Sequence, residues 1–449
     1  MRRYIPTTDQ DRETMLGEIG VSSVDELFAD IPADKKLDRP LILPQALSEQ
    51  ELVQLMKSLS DATANASDHD YFIGAGCYNH FIPSLIDHFL TRSEFYTAYT
   101  PYQPELSQGT LQAMFEFQTM ICQLTGMEVA NASMYDAATA VAEAALMSTR
   151  VHRKRDVILV SRTVHPEYRE VLAGYLARMG LEMVEFGWQK ETGRSDLDDM
   201  AAKLNDKVAT VIVQSPNFFG VIENLELIRQ ASDSSGAMLS VAVSEPISLG
   251  ILKPPGEYGA DIVVGNGQSL GIPMSYGGPH LGFFACKEKF QRQMPGRLAG
   301  QTVDHDGRRG FVMTLATREQ HIRRARATSN ICTNHQLCAL AATIYMATMG
   351  KQGMREVARL NLLKADYARK SIEDLGGKVL FSGPTFNEFV LRCGRPVIEL
   401  NEELLDRGLV GGFRLKGFYP QFDAKTMLCC FTEQLSKGAI DEFCEEVTK

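Results

Sequence analysis

The sequence lacks the long apolar segments and the excess of basic residues that mark several protein classes. No window approaches the roughly 18 consecutive apolar residues that a membrane-spanning helix needs, and the first residues lack the apolar stretch of a secretion signal. With 46 Lys and Arg against 56 Asp and Glu, the formal net charge is -10, which argues against nucleic acid and anionic membranes as partners. We therefore expect a soluble, cytoplasmic protein that binds neither.

The cysteines show no spacing typical of a disulfide framework or a zinc site. There are nine, an odd number, and none forms a C-x-x-C pair. No cluster of histidine, cysteine and acidic residues has the spacing of metal ligands either, and the sequence contains no fixed-period repeat. We therefore expect free thiols in a reducing compartment and no bound metal.

The length and composition are those of a globular protein with several cores. The chain has 449 residues, of which 44% are hydrophobic and 23% are charged, and about 150 residues per domain is typical. The composition changes along the chain predict three regions: a polar helical arm (1–65), a large α/β domain (66–330) and a smaller C-terminal α+β domain (331–449).

The large region alternates between apolar strand candidates and amphipathic helices, a pattern that predicts a mainly parallel sheet covered on both faces. The predicted strands are DVILVS, EMVEFGW, VATVIVQ, AMLSVAV, ADIVVG and LGFFAC. The predicted helices include Ser107 to Gly126, Pro166 to Met179, Leu197 to Leu204 and Glu223 to Ala231. Ligands of such sheets lie beyond the carboxyl ends of the strands, so we expect a site near the loops 214–217 and 265–268.

Several polar residues in the loops have both a functional and a structural interpretation. Asp136 is a good N-cap for an alanine-rich helix, whose N-terminus could bind a phosphate or could simply be a capped core helix. His165 follows a strand, where its ring could stack on a cofactor or serve packing alone. The basic run from Arg318 to Arg326 is expected to be helical and to form ion pairs on a solvated or subunit-facing surface.

Two further loops are rich in aromatic residues. Tyr99 and Tyr102 lie in FYTAYTPYQPEL, where the prolines favour an extended or turning backbone. These rings could line a small-molecule channel or could be buried at a surface. Tyr78 and His80 follow Gly74-Ala75-Gly76, a flexible turn without the spacing of a dinucleotide-binding motif.

Long motifs along nearly the whole chain resemble one family. The motifs are FIGAGCYNHFIPSLI, the run from Tyr96 to Ala144 that begins YTAYTPYQPELSQGT, GQSLGIPMSYGGPHLGFFA, PGRLAGQTVDHDGRRGFVMTLATREQHIRRARATSNICTN and FNEF. They are similar to the P-protein family of the glycine cleavage system, specifically to the first (alpha) subunit of the two-chain glycine dehydrogenase (decarboxylating).

The resemblance implies a fold, a reaction and partners. It implies an aminotransferase-like fold of the pyridoxal-phosphate (PLP) fold type I and an alpha2beta2 heterotetramer with glycine dehydrogenase subunit 2. It also implies an oxidoreductase of glycine catabolism that is active as a complex. In the implied reaction, glycine binds through pyridoxal 5'-phosphate and loses CO2, and its aminomethyl group passes to the lipoyl arm of the H-protein.

The sequence departs from the implied chemistry where a lysine should hold the cofactor. The stretch between Pro254 and Cys286 contains no lysine, and Gln268 or Ser269 stands about where the second subunit has one. We therefore expect the partner subunit, and not this chain, to hold the cofactor covalently. No residue of this chain is assigned a certain catalytic role.

Further departures from the family's residues imply that this chain's own site is a degenerate pseudo-site. The residues that remain of it are Asp136, His165, Glu245 and Gln268. Glu245-Pro246 replaces the family's Asp-Pro, and Ala137 replaces a glycine next to Asp136.

The resemblance also suggests which loops could complete the partner's active site at a dimer interface. The candidate lining residues are Tyr78, His80, Tyr99, Tyr102 and Gln103. The alternative is a non-catalytic structural or regulatory subunit whose loops never touch the reaction. An independent PLP-dependent aminotransferase is disfavoured by the missing lysine.

Overall fold

The computed structural model describes residues 6–96, 101–331 and 334–449. The chain divides into two compact units, residues 1–63 and 64–449. The first unit contains helices α1 (Asp9–Ile19) and α2 (Glu49–Asp61), with a 3-10 helix at Val24–Phe28 between them. Both α-helices begin with a capping box, in which a hydroxyl and a carboxylate satisfy backbone N–H groups reciprocally.

The second unit is built around a seven-stranded sheet with the order β2-β8-β7-β6-β5-β3-β4. Neighbouring strands are parallel along β4-β3-β5-β6-β7. At the other end of the sheet, β8 is antiparallel to β7, and β2 is antiparallel to β8. The strands are β2 (Val129–Ala130), β3 (Val157–Ser161), β4 (Glu182–Phe186), β5 (Val208–Gln214), β6 (Met238–Val243), β7 (Ile262–Asn266) and β8 (Gly282–Cys286).

Helices cover both faces of this sheet, because strands without a polar face must be shielded on each side. Every residue of β3 and of β5 to β8 is buried, and separate apolar clusters lie on the two faces. The covering helices are α5 (Gln108–Thr125), α6 (Ala137–Val151), α7 (Pro166–Met179), α8 (Leu197–Lys203) and α9 (Leu225–Ser235). The mainly parallel α/β architecture predicted from the alternating pattern is confirmed.

The C-terminal part packs a small antiparallel sheet, in the order β11-β12-β15-β14, against helices. Its helices are α11 (Gln336–Asp374), α12 (Val397–Leu405) and α13 (Lys437–Thr448), and its strands are β11 (Lys378–Val379), β12 (Glu388–Arg392), β14 (Phe413–Arg414) and β15 (Thr426–Cys430). Helix α11 is interrupted at Gly350, whose φ of 56° is tolerated because glycine has no Cβ. The separation of 66–330 from 331–449, like the arm at 1–65, stays a prediction.

The remaining elements are short. They are β1 (Asp70–Tyr71) with β13 (Leu409–Val410), the hairpin of β9 (Leu298–Val303) and β10 (Arg309–Thr314), helices α3 (Ser84–Leu90), α4 (Ser93–Tyr96) and α10 (Gln320–Arg323), and 3-10 helices at Pro246–Gly250, Pro255–Tyr258, Ser275–Gly277, Glu288–Gln293, Ala316–Arg318, Arg324–Arg326 and Leu415–Gly417.

The prediction that the basic run forms one continuous helix is wrong, whereas the predicted exposure at the surface is confirmed for residues 320–326 but not for Arg318. Arg324 has a φ of 52° and breaks the run into short pieces. Arg318 is buried, and its guanidinium donates to the backbone carbonyls of Met294 and Gly296. The folded segment therefore uses this cation to satisfy internal carbonyl groups, which the charge pattern alone does not reveal.

Candidate functional site

Most of the predicted pseudo-site residues meet beyond the carboxyl ends of the parallel strands. His165 is the N-cap of α7, which follows β3, Glu245 follows β6 and Gln268 follows β7. The three side chains are all buried. They surround the loop Gly74–His80, which we call the plug loop.

Gln268, one of the two residues near which the resemblance places a lysine, holds the backbone of the plug loop. Its amide oxygen accepts from the N–H of Tyr78 at 2.9 Å, and its amide nitrogen donates to the carbonyl of Tyr78 at 3.0 Å. The same nitrogen donates to the carbonyl of Ile272 at 2.7 Å. The side chain is therefore fully committed to backbone groups of its own chain.

Glu245, at the position of the acid expected beside a pyridine nitrogen, is instead bonded to His80. The His80 ring lies between two carboxylates, with Nε2 2.8 Å from Glu245 and Nδ1 2.8 Å from Glu433. Burial opposes the charged imidazolium, yet the two carboxylates outweigh it and raise the pKa of His80 to about 10. Burial likewise opposes ionisation of Glu433, but His80 lowers the pKa of that carboxyl to about 2. The plug loop is thus fixed by a buried, charged triad.

His165 contacts the plug loop as a neutral ring. Its Nδ1 accepts from the N–H of Glu167 at 3.2 Å, so Nε2 carries the proton and donates to the carbonyl of Ala75 at 2.8 Å. Burial lowers the pKa of His165 to about 4. The ring stacks on Tyr168, with 4.4 Å between centroids and 18° between planes, and a Cβ added to Gly76 would lie 3.1 Å from it.

Glu388 and Asn266 complete the set of side chains that bind the plug loop. The Glu388 carboxylate accepts from the N–H of Ala75 at 2.7 Å and from the hydroxyl of Tyr78 at 2.9 Å. Burial raises the pKa of Glu388 to about 7. Asn266 donates to the carbonyl of Gly76 at 2.9 Å.

Asp136 occupies the N-terminus of α6 with its own negative charge. Its carboxylate accepts from the N–H of Thr139 at 2.7 Å, and the Thr139 hydroxyl lies 3.4 Å from the N–H of Asp136, which makes a capping box. Of the two interpretations of this helix start, the geometry favours the capped helix, because a carboxylate there repels a phosphate.

These residues do not fit pyridoxal phosphate. The two candidates for the lysine position are Gln268, which is bound to backbone, and Ser269, whose hydroxyl donates to Glu245. The acid is paired with His80, and the histidine ring is stacked on a tyrosine of the chain itself. The plug loop also takes up the hydrogen-bonding groups of Gln268, Glu245 and His165. We call this arrangement, in which the plug loop binds the predicted pseudo-site residues, the filled pseudo-site.

The structure does not bring all predicted lining residues together. Tyr78 and His80 belong to the plug loop and are 2% and 8% exposed. Tyr102 instead contacts Arg297, whose guanidinium donates to the Tyr102 hydroxyl at 2.5 Å. Gln103 is exposed, and Tyr99 lies outside the described residues.

Three residues of the site were not identified from the sequence: Tyr168, Glu388 and Glu433. Glu388 stands in the FNEF motif that carries the resemblance, so that motif held a usable signal. No sequence signal marks Glu433 or Tyr168, because their part in the site depends on contacts made in the folded chain. Among the residues that the structure describes, no group of three or more histidine, cysteine or acidic residues could hold a metal ion. No described helix is long and apolar enough to cross a membrane.

Comparison with known proteins identifies the family. A sequence model described as "Glycine cleavage system P-protein" matches residues 2–447. A "Probable glycine dehydrogenase (decarboxylating) subunit 1" of Anoxybacillus flavithermus is 51% identical over 447 residues, covering 100% of this chain and 99% of its own length. The protein of the same description from Desulforamulus reducens is 54% identical over 440 residues and covers 98% of each chain.

Solved structures agree with this similarity. The crystal structure of an inhibitor-bound glycine decarboxylase (P-protein) of the glycine cleavage system superposes with a TM-score of 0.90 at 42% identity and 99% coverage of both chains. A cysteine desulfurase from Thermococcus onnurineus shares only the fold, with a TM-score of 0.61 at 16% identity over 84% of this chain and 94% of its own. The predicted PLP fold type I is confirmed, and the chain belongs to the P-protein family of the glycine cleavage system.

Proposed function

We propose that this chain is the subunit of a cytoplasmic glycine decarboxylase that carries no cofactor and completes the active site of a second, cofactor-bearing subunit. Glycine would lose its carboxylate as CO2 there, and the aminomethyl group would pass to the lipoyl arm of the H-protein. Support for a second subunit comes from relatives of the full length of this chain that are described as subunit 1. The proposed assembly is an alpha2beta2 heterotetramer.

The filled pseudo-site is the observation that carries this division of labour. Gln268, which with Ser269 stands at the expected lysine position, is held by three hydrogen bonds to the backbone of Tyr78 and Ile272. A chain whose own site is closed in this way requires another chain to supply pyridoxal phosphate, which provides the electron sink for decarboxylation.

Within this proposal, the candidate lining residues have two kinds of role. Tyr78 and His80 are buried, so they act by positioning the plug loop and the loops packed on it. Tyr102 is 45% exposed and Gln103 is exposed, so these two, together with Tyr99, are the proposed lining of the partner's glycine pocket.

The test is to purify this chain, its partner and the complex. Each is incubated with pyridoxal phosphate and reduced with borohydride, and peptide mass spectrometry then locates the covalently attached cofactor. We expect the label on the partner alone, and release of labelled CO2 from carboxyl-labelled glycine, with lipoylated H-protein present, by the complex alone. Labelling of this chain, or decarboxylation by this chain without the partner, would overturn the proposal.

A structural or regulatory subunit is the second candidate, favoured by the burial of Tyr78 and His80 inside this chain. Tyr102→Phe in the assembled complex separates the two, with the 73% exposed Tyr96 giving the matched variant Tyr96→Phe. If Tyr102 lines the glycine pocket, its variant lowers turnover while assembly stays intact. Equal turnover of both variants, together with unchanged turnover of Tyr99→Phe, would favour the scaffold.

A further inference from the structure

A cavity of about 720 Å³ opens between the edge of the central sheet and the small sheet. Arg162 follows β3, Trp188 follows β4, which is the edge strand, and Lys378 lies in β11 at the edge of the small sheet. The residues that give the cavity its chemistry are Arg162, Trp188, Lys190, Lys378, Phe381 and Phe422. None of them belongs to the plug loop or to the side chains that bind it.

The cavity is cationic on a chain that is acidic as a whole. Three of its lining residues are cations and none of those described is acidic, whereas the net charge of the chain is -10. Within the part of the chain that the structure describes, neither Lys190 nor Lys378 forms an ion pair, and both are exposed. The Arg162 guanidinium is 3.9 Å from Glu185, a carboxylate that is also paired with Arg169. Positive charge is therefore available to a ligand.

The aromatic side of the cavity is held rigidly. Trp188 packs edge-on against Phe219 and Tyr419, with centroid distances of 5.1 and 5.7 Å, and both of these rings are completely buried. Phe422 lies 6.2 Å from Trp188 with 29° between the planes. Rings held in this way can accept a planar ligand without losing much rotamer freedom.

A cation is already placed over the aromatic surface. The Arg162 guanidinium carbon lies 5.3 Å from the centroid of the Trp188 ring, which is within the range of a cation–π contact. Arginine in this position can stack on a planar group and bind an anionic one at the same time. The cavity also lies beyond the carboxyl ends of β3 and β4, the side of a parallel sheet on which ligands bind.

We propose that this cavity binds a small planar aromatic anion, a ring that carries a phosphate or carboxylate group. The ring would contact Trp188 and Phe422, and the anionic group would be held by Arg162, Lys190 and Lys378. The volume is within the range of small-molecule sites. A nucleotide and a phosphorylated pyridine share this chemistry, and the experiment distinguishes them.

The chain contains a single tryptophan, so its intrinsic tryptophan fluorescence reports on this cavity alone. The full-length chain is titrated with AMP, followed by Trp188 fluorescence and by calorimetry, and separately with pyridoxine 5'-phosphate, followed by calorimetry. Adenosine tests whether the ring suffices, and ribose 5-phosphate whether the phosphate suffices. The test variant Lys190→Ala/Lys378→Ala is matched by Lys154→Ala/Lys351→Ala, which removes two exposed lysines that lie outside the cavity.

We expect saturable binding of at least one of the two aromatic phosphates, much weaker binding of adenosine and ribose 5-phosphate, and a loss of about tenfold in affinity in the cavity variant alone. A change in Trp188 fluorescence with AMP would indicate a nucleotide site. Heat from pyridoxine 5'-phosphate alone would indicate the phosphorylated pyridine. The absence of saturable binding by either compound at millimolar concentration, or equal affinities of the two double variants, would overturn the proposal.

Discussion

The pseudo-site and the cavity lined by Arg162, Trp188, Lys190 and Lys378, here called the edge cavity, lie beyond the carboxyl ends of strands of the same sheet. They differ in whether their charged side chains are paired within the chain. In the pseudo-site, each ionised side chain has a partner from the chain itself, as His80 has in Glu245 and Glu433. In the edge cavity, Lys190 and Lys378 have no ionic partner among the described residues. In the first arrangement the charges of the triad are compensated within the chain, whereas in the second the two lysines are available to the ligand that we propose.

The difference shows that position in the fold does not determine whether a site is usable. Buried polar groups must be satisfied, by the chain or by a ligand. When the plug loop satisfies Gln268 and Asn266, the site becomes part of the core. Solvated lysines need no internal partner, so the edge cavity can stay open at little cost in stability.

The largest effect that we predict is the loss of stability in His80→Ala. Removing the ring leaves Glu245 and Glu433 buried without their cation, and breaking a buried ion pair in this way costs about 3–5 kcal/mol. Urea unfolding of the full-length chain measures the change. His305→Ala, whose side chain is 90% exposed, should change the free energy of unfolding by less than about 0.5 kcal/mol. A loss below about 1 kcal/mol in His80→Ala would show that the triad does not hold the plug loop.

The same triad predicts a dependence of stability on pH. Because the pKa of His80 is raised to about 10 in the folded chain, its contribution is fully present below the unfolded value of about 6.5 and is lost as the pH rises through about 10. The lowered pKa of Glu433, about 2, gives a contribution that is present above about 4.5 and is lost as the pH falls. The free energy of unfolding of the wild type relative to His80→Gln should therefore shrink steadily from pH 6.5 to pH 10. A constant difference over that range, with Gln103→Ala as the non-titrating control, would contradict this assignment.

A somewhat smaller loss is expected in Gln268→Lys, although this change restores the residue type that the cofactor requires. A lysine cannot accept the hydrogen bond from the N–H of Tyr78 and places a charge among buried groups, which should cost about 2–3 kcal/mol. We expect no bound-cofactor absorbance after pyridoxal phosphate is added, because the plug loop still fills the site. Gln103→Lys, at an exposed position, should leave stability unchanged. Stoichiometric cofactor binding by Gln268→Lys would show that the lysine alone was missing.

Local patterns in the sequence predicted the helices and strands well, but they did not predict that the plug loop binds the pseudo-site residues. Helix α7 begins and ends as predicted, because Pro166 and the apolar periodicity act within a few residues. The missing lysine was also visible in the sequence. The plug loop was not, since Tyr78 meets Gln268 across 190 residues and Ala75 meets Glu388 across 313. Contacts of that separation depend on the whole fold.

The smallest effect that we predict is that of Lys190→Ala/Lys378→Ala on stability. This double variant tests whether the charges of the edge cavity contribute to the fold. Neither lysine has an ionic partner among the described residues, so replacing both should change the free energy of unfolding by less than about 0.5 kcal/mol. Urea unfolding beside Lys154→Ala/Lys351→Ala measures this, and the two double variants should unfold at the same urea concentration. A loss of 2 kcal/mol or more in the cavity variant alone would mean that these cations stabilise the fold as His80 does. The two regions would then no longer differ in how they use charge.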